Sequence, residues 1–309
     1  MLAYGRLLRL SLAPSAAADI AAGVILTSGD WPASAKPWLL ILASLCVYHG
    51  GMALNDWADR EEDARSRTTR PIPSGAIGAG TALALALGLL ASGPMIAWLV
   101  APRCALALGC VSLLAALYDL AGRGPWLGPL LLGACRAGNL TAGLLLSIEP
   151  DGLVAHLPKI ALLYGLYVFS VSRLARLEDA PESSWRSARP RFALGLAAMV
   201  LAFVGLPGVV ELARGQDLGH LPRMEVIGSW AAAAIALAGA VGLLRRSLRP
   251  APWNRSDVMA SVGMALRRLL VATSAIAAQA GTPAGLWVAG SILCGYPVSY
   301  LLRRVFPPT

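Results

Sequence analysis

The sequence predicts an all-α membrane protein: a bundle of about nine transmembrane helices with an acidic cavity that faces the cytoplasm. The chain of 309 residues is 57% hydrophobic, with a mean hydropathy of +0.63. Only 14% of the residues are charged, whereas soluble domains have about 25%. Apolar runs near the ~20 residues that span a bilayer recur along the whole chain. One domain covering residues 1–309 is therefore expected.

The spans can be assigned in chain order from these apolar runs and from the proline and glycine breaks between them. The segment with Arg267 and Arg268 is either a span or partly interfacial, so the count is nine or ten. The candidate spans are Leu12 to Thr27, Pro37 to Leu54, Ile77 to Val100, Cys104 to Leu120, Trp126 to Ile148, Lys159 to Arg173, Phe192 to Ala213, Val226 to Leu244, Val258 to Ala280 and Gly285 to Leu302.

The arginines set the orientation. One side of the alternating spans carries Arg6, Arg9, Arg123 and the clusters Arg60 to Arg70, Arg173 to Arg191 and Arg245 to Arg255, and this side is predicted to be cytoplasmic. The same bias accounts for the formal charge of +9, so the expected partner is the lipid bilayer and no nucleic acid. The five cysteines lie in apolar segments without paired spacing and are predicted to be small core residues. The expected location is the bacterial inner membrane.

An apolar span ends in an amide and a row of acids. At about 100° per residue, Asn55, Asp56, Asp59 and Asp63 fall within roughly one quadrant of a helix. Like charges three and four residues apart repel each other, and the negative end of the helix dipole disfavours them further. A hard divalent cation with oxygen ligands reverses both effects. These residues therefore indicate Mg²⁺ bound together with a phosphate group.

A second acidic group follows the sixth span. Glu178, Asp179 and Glu182 have the spacing of Asn55, Asp56 and Asp59. If both stretches are helical at one depth, two oxygen clusters face each other across one cavity. Pro181 is tolerated only in the first turn of a helix, so this group is expected to straddle a helix boundary. A solvated loop paired with nearby arginines is the alternative.

Polar residues also lie inside the spans, where they are costly and are usually partnered or functional. Arg136 and Asn139 in the fifth span are predicted to line a cavity. Asp19 in the first span is isolated, and we expect it to form an interhelical hydrogen bond.

The pattern Asn-Asp-x-x-Asp-x-x-x-Asp from Asn55 to Asp63, followed by Arg-Pro-Ile-Pro-Ser-Gly from Arg70 to Gly75, resembles the first signature of the UbiA superfamily of intramembrane prenyltransferases. The residues from Tyr48 to Leu54 look most like its EboC-like branch. Tyr118-Asp119 and the stretch Arg136 to Asn139 also resemble family features. The second signature departs from the family, which usually has an aspartate pair spaced by three residues where this chain has two glutamates.

The resemblance implies Mg²⁺-dependent transfer of a prenyl group from an isoprenoid diphosphate to a small or lipid-soluble acceptor, whose identity stays open. Metal held by both acidic groups would stabilise the diphosphate as its bond to carbon breaks, and aromatic ring faces would stabilise the allyl cation. The site residues this implies are Asn55, Asp56, Asp59, Asp63, Glu178, Asp179 and Glu182 for metal; Arg65, Arg67 and Arg70 for diphosphate; Arg136 and Asn139 in the cavity; and Tyr118, with Trp57, Tyr164 and Tyr167 as further aromatic candidates. Of these, Tyr164 and Tyr167 are expected to be core or interface aromatics rather than cation stabilisers.

Two other classes stay open at this point. A membrane transporter could use the acidic clusters for ion or proton coupling, and it predicts acids near the bilayer midplane within broken helices. A CDP-alcohol phosphotransferase is also metal dependent. However, Asp63-Ala64-Arg65 is only a fragment of the motif that this class requires.

Overall fold

The computed structural model describes residues 2–305 except 123, 148–156, 179, 208, 211–222 and 251. All regular structure in that part of the chain is helical, as predicted. The long helices are α2 (Ala13–Ser28), α3 (Lys36–Ala58), α5 (Ala79–Val100), α6 (Pro102–Leu120), α7 (Leu127–Leu144), α8 (Leu157–Ala175), α10 (Arg189–Val204), α11 (Arg223–Ser247), α12 (Arg255–Ala278) and α13 (Pro283–Val305). The short elements are α1 (Leu2–Leu7), a 3-10 turn (Leu10–Leu12), α4 (Arg60–Ser66) and α9 (Glu182–Arg186).

Eight helices of the described chain are long and apolar enough to cross a membrane: α2 with its preceding turn, α3, α5, α6, α8, α11, α12 and α13. Helices α7 and α10, with 18 and 16 residues, pack among them. The prediction of a polytopic all-α bundle is confirmed. Arg267 and Arg268 lie within α12, so length and composition assign their segment to a span and not to the interface.

Helix α2 connects the two halves of the bundle. It packs against α3, α7, α12 and α13. On one side Ala18, Ala22 and Ile25 belong to the hydrophobic cluster built mainly from α8 and α10 to α12. On another side Ile20 and Val24 belong to the cluster built mainly from α3, α5 and α6. The packing of α2 therefore fixes the positions of its residues relative to both halves of the bundle.

Glycines let the central helices approach closely. An added Cβ at Gly23 of α2 would lie 2.6 Å from the Leu140 carbonyl oxygen of α7, and one at Gly143 would lie 2.5 Å from the Ile20 carbonyl oxygen. Small residues at such crossings let backbones touch, and the dense packing holds helices together within a membrane. Asp19 and Asn139 each lie one turn before these glycines, so the close crossing also brings two polar side chains together.

We expect Gly23→Ala to lower thermal stability, because overpacking a tight contact typically costs about 1–3 kcal/mol. The measurement is the fraction of purified protein that stays monodisperse after heating in detergent. Gly88→Ala on α5 is the matched control, because an added Cβ there meets no atom within 4 Å. If Gly23→Ala resisted heat as well as Gly88→Ala does, the close crossing of α2 and α7 would not be a stabilising contact.

Candidate functional site

A cavity of about 840 Å³ opens between α2, α3, α6, α7, α8, α12 and α13. Apolar side chains such as Val47, Met52 and Val168 form much of its wall. Its charged and amide-bearing lining residues are Arg9, Asn55, Asp119, Arg136, Asn139 and Arg267. An elongated apolar molecule with polar groups at its ends would fit this distribution.

The first acidic wall forms almost as predicted. Helix α3 ends at Ala58 and α4 begins at Arg60, while Asp59 between them keeps near-helical angles of φ −84° and ψ −2°. The side of this stretch that faces the protein carries Asp56, 3% exposed, and Asp63, 1% exposed. The predicted helical face is therefore confirmed for these two acids.

Arginine side chains form ion pairs with Asp56 and Asp63. Arg9 Nη2 donates to Asp56 Oδ1 at 3.0 Å, and Arg70 Nη1 lies 3.6 Å from the same oxygen. Arg70 Nη1 also donates to Asp63 Oδ2 at 2.5 Å. Within the described residues, no three Asp, Glu, His or Cys side chains are grouped so that they could hold a metal ion. Metal binding by Asn55, Asp56, Asp59 and Asp63 therefore stays a prediction.

The arginines predicted to bind diphosphate do not line the cavity in the described structure. Arg65 and Arg67 are exposed, and Arg67 lies 3.8 Å from Asp63. Arg70 is only 5% exposed, because it is directed at the acids. Arg9 lines the cavity instead and reaches Asn55 Oδ1 at 3.3 Å. From the sequence, Arg9 indicated only the orientation of the bundle. Its place before the first span, on the same side of the membrane as Asp56, was the signal that could have identified it.

Asp119 is an acid that the predicted site left out. It is 5% exposed near the end of α6 and lines the cavity, where its Oδ1 accepts a hydrogen bond from Asn55 Nδ2 at 3.0 Å. Among the described residues no arginine or lysine lies within ion-pair distance of it. Its position at the end of a span, on the same side as Asp56, was the signal that could have identified it.

Of the predicted aromatic residues, Tyr118 lines the cavity. Arg176 is nearby, with its Nη2 3.5 Å from the Tyr118 hydroxyl and its guanidinium carbon 5.9 Å from the ring centre. The other three candidates do not line the cavity in the described structure, and the core position expected for Tyr164 and Tyr167 is the one observed. Tyr164 and Tyr167 are fully buried and donate to Asp19 and the Ala265 carbonyl.

Trp57 is likewise engaged outside the cavity. Arg60 lies over its ring, with the guanidinium carbon 4.5 Å from the ring centre. The ring therefore contacts the charged end of α4 and not the apolar wall.

A buried polar cluster lies deeper in the bundle. Asp19, fully buried, accepts hydrogen bonds at Oδ1 from Tyr164 at 2.7 Å and from Arg136 at 3.2 Å, and at Oδ2 from Asn139 at 2.9 Å. Asn139 Oδ1 in turn accepts from Ser44 at 2.7 Å. The predicted interhelical hydrogen bond of Asp19 is confirmed, and Arg136 and Asn139 do line the cavity, as expected.

The second acidic group does not form a helical wall. Helix α8 ends at Ala175 and α9 begins at Glu182, directly after Pro181, so the predicted helix boundary is confirmed. Glu182 is largely exposed and pairs with Arg186 at 2.6 Å.

Glu178 and Glu182 therefore do not share one helical face, as expected for a group that straddles a helix boundary, and their assignment as metal ligands stays a prediction. A proline has no backbone N–H to continue α8, and the chain leaves the helix before it. In the described structure neither glutamate lines the cavity. Asp179 lies outside the described residues.

Comparison with known proteins identifies similar sequences. A family model described as the UbiA prenyltransferase family matches residues 16–264. A digeranylgeranylglyceryl phosphate synthase of Methanothrix thermoacetophila is 31% identical over 247 residues, which cover 76% of this chain and 85% of the relative. The enzyme of the same name from Methanopyrus kandleri is 27% identical over 278 residues, or 86% of this chain and 96% of the relative.

Solved structures with a similar fold are also known. A UbiA homolog from Aeropyrum pernix, without ligand, has a TM-score of 0.61 at 17% identity, covering 87% of this chain and 97% of that one. A UbiA homolog from Archaeoglobus fulgidus, bound to GPP and Mg²⁺, has a TM-score of 0.58 at 15% identity, covering 89% and 99%. At these identities the likeness concerns the fold.

We expect Asp19→Asn or Arg136→Gln to destabilise the protein strongly, because removing one partner of a buried pair typically costs about 3–5 kcal/mol. The double variant should lose less than the sum of the two single variants, since neither charge is then left alone. The measurement is a double-mutant cycle of denaturant unfolding in detergent.

The exposed pair Glu182→Gln and Arg186→Gln is the control, and we expect no measurable coupling there. Additive losses for Asp19 and Arg136 would show that the buried pair is not an energetic unit.

Proposed function

The chain belongs to the UbiA prenyltransferase family and is a multi-pass membrane prenyltransferase; from this premise, we propose which of its residues carry the reaction. The enzyme transfers a prenyl group from an isoprenoid diphosphate to an acceptor. One observation carries the residue assignment. Asn55 and Asp119, from α3 and α6, meet at the wall of a largely apolar cavity, beside the pair of Arg9 and Asp56. The diphosphate would bind at this polar end, and the prenyl chain would extend along the apolar wall.

The residues at this end fit Mg²⁺, the cofactor of the family. Asn55, Asp56, Asp59, Asp63 and Asp119 offer only oxygen donors, which this hard cation prefers. We propose that the ion and the diphosphate bind among them. When bound, Mg²⁺ would neutralise the charge that develops on the diphosphate as its bond to carbon breaks.

The arginines would then act on the phosphate oxygens. Arg9 and Arg70 already hold the carboxylates in place, and their planar guanidinium groups can form charge-assisted hydrogen bonds to a diphosphate. Arg65 and Arg67, exposed at the end of α4, remain proposed outer contacts. Tyr118 would turn its ring face to the allyl cation, and the apolar lining would keep water away from that cation.

We propose fewer metal ligands from the second acidic group than the sequence predicts. Glu182 is held by Arg186 at the surface, so we do not propose it as a ligand in this conformation. Glu178 and Asp179 stay proposed ligands of a second ion. The transporter alternative predicts ion-pathway acids in broken helices, whereas Asp56 and Asp63 flank a helix end and bind arginines.

We further propose that residues 1–309 form one prenyltransferase domain whose diphosphate end faces the cytoplasm. Support for one domain is that both hydrophobic clusters include α2. Support for the orientation is the arginine-rich stretch that follows α3 at that end. The proposed location is a bacterial inner membrane, while the relatives with similar sequence are archaeal.

With Mg²⁺ and a labelled prenyl diphosphate, the purified protein should release diphosphate in the presence of a cellular lipid extract. Asp56→Ala, Asp59→Ala and Asp119→Ala should each reduce this rate by ~100-fold or more, the cost of removing one group that stabilises developing charge. Glu182→Gln, which removes a carboxylate at the surface, is the control and should keep normal turnover. Full turnover in Asp56→Ala would refute the assignment of the diphosphate end.

The orientation can be tested with single cysteines in a variant that lacks the five native ones. Glu62→Cys on α4 should react with a membrane-impermeant maleimide only in inside-out vesicles, because arginine-rich ends are retained in the cytoplasm. Ser34→Cys, in the exposed connection between α2 and α3 at the opposite end, should react only from outside. The reverse labelling pattern would place the diphosphate end on the outer side.

A further inference from the structure

Arg9, the arginine that lines the cavity beside Asn55, has a rare backbone conformation. Its φ of 49° and ψ of 49° are left-handed, and among the described residues it is the one non-glycine with a positive φ. A side chain at such a position crowds its own backbone, so the conformation costs free energy and persists only where neighbouring contacts enforce it. We therefore looked for the group that holds this bend.

A histidine of α3 binds the backbone just before the bend. Helix α1 ends at Leu7 and the 3-10 turn begins at Leu10, so Arg9 lies between them. The carbonyl oxygen of Leu8 lies 2.7 Å from His49 Nδ1. Because a carbonyl can only accept, Nδ1 carries the proton of this hydrogen bond. The Leu8 carbonyl belongs to the peptide that contains the Arg9 nitrogen, so its direction contributes to φ of Arg9.

The chain after the bend is fixed by other groups. Ser299 Oγ of α13 donates to the Ser11 carbonyl at 2.7 Å, and the Leu12 N–H donates to the Arg9 carbonyl at 3.0 Å. Neither hydrogen bond involves Leu8. In the described structure, His49 is thus the side chain that orients the peptide before Arg9.

The same face of α3 binds the Arg9 side chain. His49 and Asp56 are seven residues apart, which is within about 20° of two full helical turns. Arg9 Nη2 donates to Asp56 Oδ1 at 3.0 Å and to Asn55 Oδ1 at 3.3 Å. Arg9 is therefore attached to α3 at two points, through the backbone by His49 and through the guanidinium by Asp56.

Only one of these two attachments changes in the proposed reaction. Arg9 would exchange the Asp56 carboxylate for phosphate oxygens, because Asp56 is proposed to bind Mg²⁺. The hydrogen bond from His49 to the Leu8 carbonyl does not involve Asp56, so it can persist during this exchange. A binding group that is held in place before its ligand arrives loses less conformational freedom on binding.

We propose that His49 is a positioning residue for the prenyl diphosphate and that it acts through Arg9. The inference rests on the proposed function and adds one residue to the same site. His49 itself does not line the cavity in the described structure. Its effect on the donor therefore has to pass through the backbone of Leu8 and Arg9.

The first test is a double-mutant cycle on binding of a prenyl thiolodiphosphate, a poorly reactive donor analogue, to the full-length protein in detergent with Mg²⁺. Arg9→Gln should weaken binding about 30-fold, as expected for loss of a charge-assisted contact. His49→Leu should weaken it about tenfold, because Arg9 is then held less well. The double variant should bind like Arg9→Gln, since no guanidinium is left to position.

His49→Asn should bind the analogue better than His49→Leu, because the asparagine amide can donate to the Leu8 carbonyl. Cys46→Ala, three residues earlier on α3 and away from the cavity wall, is the matched control and should bind like the wild type. A double variant weakened about 300-fold, the product of the two single losses, would overturn the proposal. Wild-type binding in His49→Leu, or no gain in His49→Asn, would overturn it too.

Limited digestion with trypsin tests the bend without any ligand. Cleavage after Arg9, followed by intact mass spectrometry, should be several times faster in His49→Leu than in the wild type, because the bend then opens more readily. Cleavage after the exposed Arg67 is the internal reference and should keep its rate, which separates a local change from a general loss of folding. Equal cleavage after Arg9 in both proteins would show that His49 does not hold the bend.

The binding measurements also separate this inference from the proposed function. A wild type that binds no donor analogue would refute the proposed function, and the positioning role with it. Independent losses in the cycle, with tight binding by the wild type, would refute only the positioning role of His49.

Discussion

The buried contact of Asp19 with α7 and α8 is the interaction on which the site depends. A carboxylate inside a membrane bundle has no bulk water to solvate it, so it must be satisfied by protein groups. Arg136, Asn139 and Tyr164 provide those groups. Asn139 also accepts a hydrogen bond from Ser44 of α3, so the cluster ties α2, α3, α7 and α8 together. The end of α3, which carries Asn55 and Asp56, is thereby fixed relative to the deep cavity wall.

Some of the charged side chains in this region are ion-paired, and others have no ion-pair partner. Asp19 with Arg136, and Asp56 with Arg9, are ion pairs that need no ligand to be tolerated. On the described cavity wall, Asp119 and Arg267 are charged side chains without an ion-pair partner. One is negative and lies beside Asn55, while the other is positive and lies within α12.

The sequence predicts the helices well, because apolar runs of spanning length are a local property of the chain. It also predicts the inward face of Asp56 and Asp63, since helical period alone places them. The role of Arg9 could not be read in this way, because its contact with Asp56 joins residues 47 positions apart. The hydrogen bond from Asn55 to Asp119 also joins residues that are far apart in the sequence, so it could not be predicted either. The helix boundary in the second acidic group could be predicted, because it has a local cause: Pro181 cannot continue the helix.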